Sequence, residues 1–158
     1  MSIENVRAYF EQEQIADRIL EFDASSATVE LAAQVLGCEP ARIAKTISLY
    51  GPDDQTILVV AAGDAKVNSG KFKRAFGVKA SMLKGDDVEA RTGHRIGGVC
   101  PFAVKEGVRV VLDESLKRFE TVYPACGSSN SAIKLTLDEL ERYSRAEGWA
   151  DVCKIPEE

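Results

Sequence analysis

Apolar positions along this chain alternate between two periods. In "SIENVRAYFEQEQ", Ile3, Val6 and Phe10 recur at helical spacing, which predicts an amphipathic helix with Ser2 as its N-cap. "RILEFD" reads as a short strand. "SSATVELAAQVLG" returns to the helical period through Val29, Ala33 and Leu36, with the leading serines as caps and Gly37 as a stop. "PARIAKTISLY" turns through Pro40 into a strand. After the turn "GPDDQ" comes "TILVVAA", apolar on both faces and therefore predicted to be central. These two strands are predicted to form a hairpin.

Further on, "NSGKFKRAFG" predicts a short helix capped by Asn68 or Ser69 and ended by Gly77. "VKASML" reads as a strand, and "DDVEART" as a short helix before Gly93. "VRVVLD" and "FETVY" are strands around "ESLK". A glycine-serine loop leads to the strand "AIKLT" and the helix "LDELERYSRA", capped by Thr136. Strands outnumber helices and do not alternate with them one for one. The pattern predicts an α+β fold with a mixed, mainly antiparallel sheet curled over short helices, rather than a doubly wound parallel one.

Composition narrows the class. The 158 residues suit one domain, residues 1–158, and 45% hydrophobic content supports a sizeable core. No run approaches a membrane span, and the N-terminus carries Glu4 and Glu11 without an apolar signal core, so a cytoplasmic protein with no membrane partner is expected. Cys38, Cys100, Cys126 and Cys153 are far apart with no C-x-x-C pair, and His94 is the single histidine. Reduced thiols and no metal or cofactor are expected. The net charge of −5 is uneven: residues 64–84 carry Lys66, Lys71, Lys73, Arg74, Lys79 and Lys84 against Asp64. A local basic patch of this kind attracts polyanions or simply forms a solvated helix face.

Three stretches carry candidate chemistry. In "AKTISLY", alternation puts Lys45 on one face with Ile47 and Leu49, so its ammonium either snorkels out or meets an anion at a pocket mouth. In "TGHRIGGVCPFAV", Gly97 and Gly98 can expose successive amides to a ligand oxygen, and Pro101 stiffens the turn; a bulged turn is the plainer reading. His94 is a weaker candidate for the same site. The loop Cys126, Gly127, Ser128, Ser129, Asn130 and Ser131 is rich in small donors and acceptors, either at a pocket rim or as an ordinary connection. The nucleotide-binding fingerprint G-x-G-x-x-G, the Walker loop and the elbow G-x-S-x-G are all absent.

Together these motifs resemble the YbaK/ProX family of free-standing aminoacyl-tRNA deacylases, relatives of the editing domain of bacterial prolyl-tRNA synthetases. The resemblance covers about residues 22–140. It rests on "TVELAAQVLGCEPARIAKTISL", "GDAKVNSGKFKRAFG", the pattern G-x-x-x-G-G-x-x-P at Gly93, Gly97, Gly98 and Pro101, and "YPACGSSNSAIKLTLDEL". It implies a barrel-like mixed sheet flanked by short helices. It also implies metal-free hydrolysis of the ester joining a wrong amino acid to tRNA, with tRNA as partner at its aminoacyl 3′ end and prolyl-tRNA synthetase as a transient one. The family's lysine maps onto Lys45, its paired glycines onto Gly97 and Gly98, and its Gly-Ser onto Gly127 and Ser128.

On that basis, backbone amides near Gly97 and Gly98 would hold the tetrahedral oxyanion or the attacking water. Lys45 would anchor the terminal nucleotide or add positive charge near the carbonyl. No strong general base is visible, which suits the family's proposed activation of water by the tRNA ribose hydroxyl. The segment from Lys66 to Lys84 would meet tRNA phosphates, with Asn68 and Lys71 as lesser contacts. The chain departs from some branches in having Thr46 after the lysine and Ser129, Asn130 and Ser131 after the Gly-Ser pair. Both differences fall in the specificity pocket that the resemblance implies, and the small-residue loop points to a small, uncharged amino acid such as alanine, serine or cysteine, with tRNA(Pro) as the expected carrier. Two other readings are a binding module of the same fold without turnover, and a thiol-dependent protein using Cys100 and Cys126.

Overall fold

The computed structural model describes residues 2–23 and 28–156. The chain opens with α1 (Ser2–Gln12), which begins at Ser2 itself rather than after it. Val6 and Phe10 are fully buried. Burying such side chains is worth about 1.5–3 kcal/mol each. Phe10 meets Phe102 edge-on at 4.9 Å between ring centroids, which ties the first helix to the glycine-rich loop. β1 (Ile19–Glu21) follows. α2 (Val29–Leu36) is capped by Thr28, whose Oγ1 accepts from the Leu31 N–H at 3.2 Å, and ends at Gly37 in the left-handed region. The predicted serine caps, Ser25 and Ser26, lie outside the described residues.

β2 (Ile43–Tyr50) and β3 (Thr56–Ala62) form the predicted hairpin, in register from Ala44 opposite Ala62 to Tyr50 opposite Thr56. All seven residues of β3 are buried, as expected of a strand covered on both faces. β4 (Lys66–Val67) leads into α3 (Ser69–Phe76), capped by Asn68, and α4 (Gly85–Thr92) ends at Gly93. Then come β5 (Arg109–Asp113), β6 (Thr121–Pro124), β7 (Ser131–Ile133) and β8 (Leu135–Thr136). α5 (Leu137–Ser144) carries a complete capping box: Thr136 Oγ1 accepts from the Glu139 N–H, and Glu139 accepts from the Thr136 N–H. β9 (Gly148–Ala150) and β10 (Cys153–Lys154) close the chain.

The fold is mixed α+β. Its curled six-stranded sheet has the order β8-β6-β2-β3-β5-β9, and the pairs β1–β7 and β10–β4 form two small antiparallel ladders. Within the large sheet three of the five neighbouring pairs are parallel; over all seven described pairings, antiparallel leads four to three.

Two sequence expectations are corrected. Residues 78–83 do not form a strand; a single bridge joins Met82 to Leu49. Their alternation is genuine, but the free edge of β2 offers them only its last residues before the chain enters α4. The predicted strand "AIKLT" breaks at Lys134, so that β7 serves β1 and β8 serves β6. Ile133 and Leu135 on either side are both fully buried, so the break lets two apolar residues two apart serve different ladders.

Candidate active site

One edge of β2 carries two different partners with a gap between them. At its start, β6 pairs in parallel at Ile43 and Ala44. At its end, the Tyr50 N–H donates to the Ser81 carbonyl at 2.9 Å, and the Leu83 N–H donates to the Ser48 carbonyl at 3.0 Å. Between these contacts, Lys45, Thr46 and Ile47 border a cavity of about 420 Å³. Val29, Ala32 and Leu36 of α2 form one wall, Met82, Leu83 and Val88 another, and Ile96, Gly97 and Val99 a third. Tyr123, Ala125, Ser131 and Ala132 also border it.

Lys45 is the only charged side chain among the described residues lining this cavity. It is half-buried, and its Nζ donates to the Gly63 carbonyl at 3.3 Å. Burial pushes its pKa below the usual lysine value, with Asp64 nearby pulling the other way. Asp64 is itself committed to Arg118, whose guanidinium donates to both carboxylate oxygens at 2.5 and 3.0 Å. Gly63 could not be another residue without movement, because a Cβ there would collide with the Pro40 carbonyl oxygen. The backbone group that catches the lysine is thus fixed by close packing of two chain segments.

The two glycines of the "GG" pair have different jobs. Gly97 is exposed, borders the cavity and has φ +89°, a conformation that favours glycine. Gly98 is buried, and its N–H donates to the Arg95 carbonyl at 2.9 Å. A Cβ on Gly98 would stand 2.6 Å from the Gly127 carbonyl oxygen and 2.9 Å from the Ser128 nitrogen. The sequence reading offered both amides to a ligand. In the structure the Gly98 amide is already spent in a turn, and its missing side chain lets the two glycine-containing loops touch.

The remaining candidates divide between loop and periphery. Gly127, at φ +95°, shapes the second loop. The Ser128 hydroxyl donates to Asn130 Oδ1 at 2.9 Å and lies 2.7 Å from the Ser131 hydroxyl, which borders the cavity. Ser129 stands opposite Gly97, its Cβ 3.8 Å from where a Gly97 Cβ would be. Asn130 anchors the loop, donating from Nδ2 to the Phe22 carbonyl at 2.9 Å.

His94 does not border the cavity; it is fully buried, and its Nε2 donates to the Phe102 carbonyl at 2.7 Å, closing the loop on itself. Its Nδ1 has no partner among the described residues, and burial lowers its pKa. Pro101 borders a separate cavity of about 210 Å³ with Tyr9 and Tyr143. Asn68 caps α3, accepting from the Lys71 N–H at 3.0 Å, while the Lys71 ammonium pairs with Asp151 at 2.8 Å. Neither of these two borders the cavity.

The thiols are poor nucleophiles. Cys100 is fully buried and its pKa is pushed up to about 12 by that burial; Cys126 is raised well above the usual range for the same reason. Cys100 Sγ lies 3.6 Å from His94 Nε2, but that nitrogen's proton is directed at a carbonyl and cannot serve a thiolate. Sequence reasoning missed the α2 wall and the two apolar lips, Met82 and Ile96, which are 66% and 71% exposed. Their signal was present: each is a large apolar residue stranded in a basic or glycine-rich stretch.

Known proteins of similar sequence and shape give this geometry a family. The family model described as the aminoacyl-tRNA editing domain matches residues 23–143. A protein of Bacillus subtilis named YwhH, whose function is uncharacterised, is 53% identical over 154 residues, covering 98% of each chain. EbsC of Enterococcus faecalis, named as a candidate Cys-tRNA(Pro)/Cys-tRNA(Cys) deacylase, is 28% identical over 139 residues, covering 86% of this chain and 85% of its own. A crystal structure described as a candidate trans-editing enzyme for prolyl-tRNA synthetase superposes with a TM-score of 0.86 at 27% identity, covering 97% of both chains. This chain belongs to the aminoacyl-tRNA editing domain family.

Proposed function

We propose that this protein hydrolyses, in trans, the ester joining a small uncharged amino acid to the 3′ end of a mischarged tRNA, with tRNA(Pro) as the carrier. The observation that carries this reading is that one cavity is bordered by Lys45, the single ammonium among its described lining residues, and by the unobstructed peptide at Gly97. Acyl-ester hydrolysis develops negative charge on the carbonyl oxygen. A fixed ammonium in a half-buried setting stabilises such charge, or holds the adjoining phosphate, more strongly than one in water.

The chemistry needs no side-chain nucleophile. Water attacks the acyl carbon, the bond from that carbon to the ribose oxygen breaks, and the proton released by water passes to the departing ribose oxygen. The neighbouring ribose hydroxyl relays the proton, since among the described lining residues there is no carboxylate or histidine to do so. The walls at Val29, Ala32 and Ala132 are apolar and uncharged, which favours a small neutral acyl side chain. Exposed Lys79 and Lys84 flank the Met82 lip and would meet RNA phosphates in the cytoplasm, where prolyl-tRNA synthetase would supply the misacylated product.

The test is a panel of alanyl-, cysteinyl- and seryl-tRNA(Pro) beside correctly charged prolyl-tRNA(Pro), assayed for amino-acid release under multiple turnover. Release from at least one mischarged species, with prolyl-tRNA(Pro) spared, is expected. Saturable binding without release from any of them would contradict the proposal and make the chain a binding module.

A further inference from the structure

We infer that the substrate's aminoacyl group docks on Thr46 as a one-residue antiparallel strand: its α-amino group donates to the Thr46 carbonyl, and its acyl oxygen accepts from the Thr46 N–H. The inference rests on the proposed function and specifies how that site reads its substrate.

The argument starts from register. Backbone groups along a strand point alternately to its two edges. Tyr50 and Ser48 direct theirs to the 81–83 segment, and Ala44 pairs on the same edge with β6. Thr46 shares their parity, so its N–H and C=O face this edge too. No described segment pairs with Thr46 there, because β6 stops at Ala44 and the next contact begins at Ser48. The edge at Thr46 opens instead on the cavity. A strand edge left open between two occupied stretches is a ready template for another backbone.

The aminoacyl group fits that template because it is itself a residue. In an antiparallel hydrogen-bonded pair, two residues exchange both N–H···O bonds. An α-aminoacyl ester offers one N–H donor and one carbonyl acceptor on adjacent carbons, as a strand residue does. Thr46 offers the complementary acceptor and donor. The pairing also places an amide proton on the oxygen that becomes the oxyanion. That donor matters here, since the Gly98 amide is already donating to Arg95.

Two consequences follow from the pleat. Directly paired residues project side chains on the same sheet face, so the acyl side chain would lie beside that of Thr46. Thr46 thereby becomes a specificity-determining residue. Lys45 projects from the opposite face, so its ammonium approaches the edge from the other side of the sheet than the acyl side chain does.

The test uses two non-hydrolysable analogues: 3′-amino-3′-deoxyadenosine acylated with alanine, and the same amine acylated with propionic acid. They are alike in size and differ in the α-amino group. The alanyl compound is expected to bind about tenfold or more tightly, and to slow exchange of the Thr46 amide proton. Equal affinities, or no protection at Thr46, with mischarged tRNA still hydrolysed, would overturn the docking mode and leave the proposed function standing. Failure to hydrolyse any mischarged tRNA would overturn the function and the docking mode with it.

Discussion

The α-carbon of Gly98 faces the Gly127 carbonyl so closely that a methyl group on it would lie 2.6 Å from the oxygen. This contact locks the loop bearing Gly97 against the loop bearing Ser128, although the two are about thirty residues apart in sequence. It predicts that Gly98→Ala costs roughly 1–3 kcal/mol, the usual price of overpacking. Chemical denaturation should show that loss, and deacylation should fall further than stability accounts for, because Gly97 moves with its neighbour. An alanine variant of parental stability and rate would mean that the loops are not so coupled.

The Gly63 carbonyl holds the Lys45 ammonium, and Gly63 is itself pressed against Pro40. Gly63→Ala should therefore lower the melting temperature and reduce kcat together, while Gly37→Ala, where no neighbouring atom lies within 4 Å of a Cβ, should lower only stability. Its strain is local, at φ +68°. Comparing kcat for the two variants at a temperature where both are folded separates lysine positioning from general destabilisation.

How far these relations could be read beforehand depends on their range. Caps at Asn68 and Thr136 and stops at Gly37, Gly77 and Gly93 involve only a few consecutive residues, so composition and spacing revealed them. β4 and β10 have two residues each, too few for any period to show. The double-glycine motif marked a place, but which glycine borders the cavity depends on Gly97 having φ +89° and Gly98 touching Gly127. The open edge at Thr46 depends on where β6 and the 81–83 segment stop, a matter of register across chain stretches far apart in sequence.

Glu139 joins α5 to the rest of the fold. Arg18 grips it with two nitrogens, at 2.8 and 3.0 Å, and its pKa falls from 4.5 to about 2, with that hydrogen bond the largest cause. A carboxylate lowered on folding stabilises the protein above its unfolded pKa, and that stability is lost as pH falls toward the folded value. Stability should thus decline between about pH 5 and pH 2. Glu139→Gln should flatten this slope and cost about 1 kcal/mol at neutral pH, the small figure reflecting partial exposure of the pair. Urea denaturation at several pH values checks it; an unchanged slope would assign the acid sensitivity elsewhere.

Burial of Cys100, Cys126 and Cys153 predicts indifference to thiol reagents. Iodoacetamide at neutral pH should label Cys38, the one half-buried thiol, before the others. Cys100→Ala should retain deacylation within about twofold while losing about 1 kcal/mol of stability to the missing sulfur. Mass spectrometry of labelled peptides and a rate assay suffice. Loss of activity in parallel with Cys100 labelling would restore the thiol mechanism.

The most direct test of the whole account is the deacylation rate of Lys45→Met on a mischarged tRNA that the parental protein hydrolyses. Methionine keeps the length and apolar stem of lysine and removes a charge whose burial is unfavourable, so the melting temperature should hold or rise. The rate should fall about 100-fold or more, the scale of removing one preorganised electrostatic contact to a developing oxyanion. A folded Lys45→Met protein that releases amino acid at the parental rate would contradict the account.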